Sequence, residues 1–148
     1  GSERIGVDPI PHSDQIQPAS LDLRLGSEFA ELTEYGDLNY ERDEIPLVPS
    51  VRYLGHTKET IDLPDDLAAQ LAGRSSIGRR GIIVHKTAGW IDPGFSGQIT
   101  LDLMNLGDET VTLESGERVA QLVFFPLDEP SSGYDGSYQG QKGATEAR

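Results

Sequence analysis

At 148 residues and 36% hydrophobic content the chain is one domain, with a modest core and a polar surface. Its 12 Lys and Arg face 25 Asp and Glu, a formal net charge of -13 that argues against free DNA or RNA as a partner; the acid excess suits solubility or life in high salt. No apolar run approaches a membrane span and no signal-peptide pattern is present, Gly1-Ser2 reads as an expression scar, and the lack of Cys rules out disulfides and thiolate metal sites, so a cytoplasmic protein is expected.

In chain order, residues 3–19 are polar with three prolines and read as extended or irregular. Leu21, Leu23 and Leu25 alternate with Asp22 and Arg24, the pattern of a half-buried strand that ends at Gly26. Residues 33–44 are strongly polar and read as a surface loop. Ile45 to Leu54 suggests a short or edge strand because of its two prolines, and His56 to Leu63 alternates weakly. Leu67 to Leu71 reads as a strand, Ser75 to Arg80 as one helical turn with Ser75 near its N-cap, and Ile82 to Val84 as a buried strand. Pro93-Gly94 signals a type II turn. From Gln98 to Asn105, Ile99, Leu101 and Leu103 share one face and Thr100, Asp102 and Met104 the other. Thr110 to Leu113 and Arg118 to Phe125 read as two more strands around a turn at Ser115-Gly116. After Pro126 the chain turns Gly- and Ser-rich, the composition of a mobile tail. Many short strands with almost no helical period predict an all-β fold: a sandwich, jelly roll or distorted barrel with minor helix. The domain is expected over residues 3–128, with 129–148 as the tail.

The chemistry concentrates between Gly73 and Asn105. Arg74, Arg79, Arg80 and Lys86 lie here with His85 and the only Trp, Trp90, and no acid occurs from Gly73 to Ile91. A basic island in an acidic chain is a local anion site. Arg74, Ser75 and Ser76 offer guanidinium, hydroxyl and backbone donors suited to phosphate, although no Walker A loop is present. Arg79 and Arg80 are adjacent, so at most one faces the same site as Arg74. Asp92 precedes Pro93-Gly94 and suits either turn formation or a hydroxyl contact. Asp102 sits mid-strand, where Asp is disfavoured; on a solvent face it is ordinary, and in a site it is a general base or acid. His12, His56 and His85 lack ligand spacing, and without Cys the zinc-type nucleobase deaminases are excluded. A triphosphate ligand would bring Mg²⁺, held mainly by phosphate oxygens and water.

The segments QPASLDLRLG, GRSSIGRRG, VHKTAGWIDPGFSGQITLDLMN, RVAQLVF and YQGQKG resemble the dCTP deaminase branch of the dUTPase-like superfamily, over Gln17 to Gly143 with gaps. The resemblance implies a distorted β-barrel or jelly roll of the dUTPase-like type, a homotrimer with active sites shared between subunits, and zinc-independent deamination of dCTP. In some members hydrolysis of dUTP to dUMP and diphosphate follows. By position, Ser75 would help hold the attacking water, Arg74, Ser76 and Arg79 would bind phosphates or support the catalytic carboxylate, and the Ala88 carbonyl would orient the water. Asp92 would contact the deoxyribose. Tyr134, Tyr138 and Gln141 would belong to a C-terminal segment that closes over the triphosphate.

Asp102 stands where the deaminases usually carry Glu, one C–C bond or about 1.5 Å longer. A displacement of that size in a catalytic group costs on the order of 10²-fold in rate unless the backbone compensates. Ser137 stands where a Lys commonly precedes the tail Tyr, so one phosphate contact is missing or Lys142 replaces it. The N-terminal part lacks the usual opening helix. Gly89 resembles the members that both deaminate and hydrolyse. The expected activity is therefore dCTP deamination, extending to dUMP in the bifunctional type. The alternatives are a dUTP diphosphatase only and a non-catalytic nucleotide-binding regulator.

Overall fold

The computed structural model describes residues 5–85, 89–131 and 136–144. Twelve strands form three sheets among the described residues, none of them a closed barrel. The strands are β1 (Gly6–Asp8), β2 (Leu21–Arg24), β3 (Glu28–Thr33), β4 (Gly36–Glu41), β5 (Glu44–Leu47), β6 (Arg52–Asp62), β7 (Leu67–Gly73), β8 (Ile82–Ile83), β9 (Trp90–Ile91), β10 (Ser96–Asn105), β11 (Val111–Glu114) and β12 (Arg118–Pro126). One short helix, α1 (Ser75–Gly78), follows β7. The largest sheet runs β4-β3-β6-β10-β8, with β1 also on β6; a second runs β2-β12-β7-β9, and β11 pairs β5. No helix among the described residues is long and apolar enough to cross a membrane.

The leucine alternation forms the core as expected. Leu23, Leu25, Leu101, Leu103, Leu113 and Leu122 are fully buried in one apolar cluster that takes residues from all three sheets. The 33–44 loop expectation is overturned: β4 pairs along its whole length with β3. It is an edge strand, exposed at nearly every position, so it needs no apolar pattern and is held by its backbone. The break expected after Leu54 is also absent, because β6 continues through His56 to Asp62. Its polar His56, Thr57 and Glu59 are buried, which erases the alternation. Ser115-Gly116 connects strands of different sheets instead of closing a hairpin.

The strand predicted as half-buried around Leu21 is buried on both faces. Asp22 is 3% exposed and Arg24 8%. Each is sealed by an opposite charge: Arg24 Nε meets Glu59 at 3.2 Å, and Asp22 meets Arg74 and Arg118. Burial of a charge is tolerated only with such pairing.

The β10 register against β6 shifts between Gln98 and Thr100. This irregularity takes the Ile99 N–H off the ladder, and the buried Thr57 Oγ1 accepts it at 3.0 Å while donating to the Glu59 carbonyl at 2.8 Å. A bulge of this kind re-aims the side chains that follow it, here Thr100 and Asp102. Thr57→Val orphans a buried N–H and a buried carbonyl together. It should lower unfolding free energy by about 1–3 kcal/mol in a urea titration.

Candidate active site

A cleft of about 770 Å³ opens beside β10 and gathers Asp92 and Asp102 with Tyr138 and Gln141 of the tail. Asp102 reaches it because β10 alternates: Leu101 and Leu103 face the core, and Asp102 between them is half-buried on the cleft side, directly opposite Leu54 of β6. Its carboxylate has no hydrogen-bond or ion-pair partner among the described residues, which leaves its lone pairs for water or ligand. Asp92 forms the expected turn. Its carbonyl accepts the Phe95 N–H at 3.2 Å across Pro93-Gly94, and Gly94 has the positive φ of 83° that a type II turn needs. The same residue lines the cleft.

Residues 136–144 dock on the side of β10 that β6 leaves open. Gly140 N–H donates to the Ser96 carbonyl at 2.6 Å, and Gln98 N–H donates to the Gln141 carbonyl at 3.0 Å. The Gln139 side chain accepts from Ser96 N–H and donates to the Gly94 carbonyl. Gln141 is buried, and Gly143 N–H reaches Gln98 Oε1 at 2.7 Å. Lys142 lies elsewhere, in a second hollow of about 570 Å³ with Glu28, Asp43 and Lys58. Ala88 and Tyr134 lie outside the described residues.

The arginines and serines of the basic island around α1 do not line the cleft of their own chain. Arg74 caps α1 from its extended N-cap position, one residue before the Ser75 expected there, and its Nη1 donates to the Arg118 carbonyl at 3.1 Å. Ser75, Ser76 and Arg79 are exposed on the turn. Arg80 is committed to Glu117 at 2.8 Å and to the Thr112 carbonyl, so of the adjacent pair Arg79 is the one left open. The predicted residues thus fall into two groups, Asp92, Asp102, Tyr138 and Gln141 in the cleft and Arg74, Ser75, Ser76 and Arg79 around α1.

Among the cleft residues not singled out as site residues from the sequence are Arg52, His85 and Trp90. Arg52 of β6 supplies the guanidinium among the described cleft residues; it pairs with Met104, two positions along the same face from Asp102. His85 and Trp90 line the cleft too, with Trp90 53% exposed and leaning on Phe125 at 5.5 Å between ring centroids. Trp90 carried a signal, being the one Trp of the chain inside the basic island. Tyr53, whose phenol is pushed up by burial, and Tyr40, pushed up by its hydrogen bond to Glu31, lie outside this lining.

Gly89 is fixed by close approach. Its φ is 66°, its carbonyl accepts the Leu71 N–H at 2.8 Å, and a Cβ there would stand 2.4 Å from the Leu71 carbonyl oxygen. Gly89→Val should lower unfolding free energy by about 1–3 kcal/mol, read from thermal denaturation, because the backbone has to leave this conformation.

A family model described as dCTP deaminase-like matches residues 1–127. A dCTP deaminase of Natronomonas pharaonis is 42% identical over 97% of this chain and 86% of its own length. A dUMP-forming dCTP deaminase of Beutenbergia cavernae is 41% identical over 100% of this chain and 88% of its own. Among solved structures, the 2'-deoxycytidine 5'-triphosphate deaminase of Agrobacterium tumefaciens superposes with a TM-score of 0.71 at 23% identity, over 83% of this chain and 42% of that one. The EIAV dUTPase superposes with a TM-score of 0.61 at 20% identity, over 91% and 98%. These two share the fold. The chain belongs to the dCTP deaminase-like family.

Proposed function

We propose that this protein deaminates dCTP to dUTP without zinc and carries the product on to dUMP and diphosphate. The observation that carries the reading is Asp102: a half-buried strand carboxylate, unpaired among the described residues, in one cleft with Asp92 and the docked tail. Relatives named dCTP deaminase, dUMP-forming, support the second step.

In this mechanism Asp102 takes a proton from a water that attacks C4 of the cytosine. The proton passes to N3 and a second one to the amine. The C4–N bond breaks, ammonia leaves, and the C4 carbonyl of uracil forms. Asp92 contacts the deoxyribose, and Tyr138 and Gln141 cover the triphosphate. The bulge before Thr100 aims Asp102 into the cleft. Arg74, Ser75, Ser76 and Arg79 come from a neighbouring copy in a homotrimer. Their separation from the cleft within one chain supports a shared site.

No group of three or more His, Cys, Asp or Glu able to hold a metal occurs among the described residues. Mg²⁺ would arrive with the triphosphate, bound mainly by phosphate oxygens and water, and would neutralise phosphate charge. A phage phi11 dUTPase with this fold is described with a structural Mg(II) ion. Deoxynucleotide chemistry of this kind belongs in the cytoplasm.

The deciding experiment incubates the protein with dCTP and, separately, dUTP, and follows ammonia and pyrophosphate. Ammonia from dCTP is expected, with pyrophosphate alongside. Pyrophosphate from dUTP with no ammonia from dCTP would make the protein a diphosphatase instead. Asp102→Ala should abolish ammonia release while nucleotide still binds in calorimetry, and undiminished release would remove Asp102 from the mechanism. Deleting residues 134–148 should raise KM for dCTP by about tenfold or more, through lost binding contacts; an unchanged KM would mean the tail is no lid.

A further inference from the structure

Asp22 is a buried carboxylate for which the mechanism above has no use. Its side chain is 4% exposed, and one oxygen, Oδ2, meets three donors: Arg74 Nε at 3.3 Å, Arg118 Nη1 at 3.2 Å and Gln17 Nε2 at 3.3 Å. The Arg74 side chain is 26% exposed, and its Nη1 is taken by the Arg118 carbonyl at 3.1 Å. No hydrogen bond from its Nη2 occurs among the described residues, so the guanidinium is held at Nε and Nη1 and keeps Nη2 open. Arg74 stands at the head of α1, next to the exposed Ser75 and Ser76.

The charge count explains the arrangement. One carboxylate faces two guanidiniums, so the cluster keeps a net positive charge after Asp22 is satisfied. Arg79 adds another exposed cation one turn away. A cluster left positive and half open is completed by a second anion, and a planar guanidinium fixed at Nε and Nη1 presents the N–H groups of Nη2 to a phosphate oxygen.

We propose that Asp22 is a positioning residue, which orients Arg74 for a substrate phosphate and, with Arg118, sets the direction of its open Nη2. This rests on the reading of Arg74 as a nucleotide-binding residue. Asp22 itself touches no substrate. Its effect passes through Arg74, and that path separates it from a residue that merely stabilises the fold.

The test is a double-mutant cycle with Asp22→Asn and Arg74→Gln, read as KM for dCTP and as dissociation constant for dUTP by calorimetry. Asp22→Asn should raise both by about tenfold or more, in line with misplacement of a binding group. In the Arg74→Gln background the same change should do almost nothing, within about twofold. Equal effects in both backgrounds would make Asp22 a structural residue and overturn the proposal. Asp22→Glu keeps the charge and shifts the carboxylate by about 1.5 Å, so it guards against a fold lost with the charge. It should weaken nucleotide binding at an unchanged melting temperature, and wild-type binding would also overturn the proposal. If Arg74→Gln alone binds dUTP normally, the role of Arg74 fails and the proposal with it. If the protein binds dUTP yet releases no ammonia from dCTP, only the reaction assignment fails, because the binding cycle still decides Asp22.

Discussion

The pairing of β10 with β6 is the constraint on which the rest of the molecule depends. It brings together two long strands that are distant in sequence, so its closure carries a large entropic cost that only burial offsets. One face of β10 gives Ile99, Leu101 and Leu103 to the core, and the other gives Thr100 and Asp102 to the cleft. Stability and chemistry therefore share one strand. A one-residue slip would send Asp102 inward and a leucine outward, so the packing that holds the fold also fixes the carboxylate.

Where side chains followed the solvent rule, the chain could be read. Leu21, Leu23, Leu25, Leu101 and Leu103 are inside because their spacing demands it. Legibility fails where polar groups are buried. Arg24 is inside because Glu59, 35 residues on, accepts its backbone N–H, and Asp22 because Arg118, 96 residues on, meets it. Nothing local announces such partners. The same burial of His56, Thr57 and Glu59 hid the length of β6 and with it Arg52. The strand β4 was hidden for the opposite reason, being exposed and held by backbone alone.

Asp92, Asp102, Tyr138 and Gln141 could be named from residue type and resemblance, and they share one cleft. Their separation from Arg74, Ser75, Ser76 and Arg79 was invisible, because nearness in sequence does not measure nearness in space. Gly73 to Asn105 is one stretch of chain, yet it passes from the end of a strand in one sheet, through α1, into an interior strand of another. Each half of the island chemistry is built on a different support.

The docked tail has a consequence for pairing between copies. Ser96 and Gln98 carry backbone groups that would form a bare strand edge if the tail were elsewhere. Bare edges invite pairing with other chains. The residues that cover this one follow every strand of the three sheets in the chain. Until the tail docks this edge is open, and the net charge of -13 opposes its pairing with a second copy.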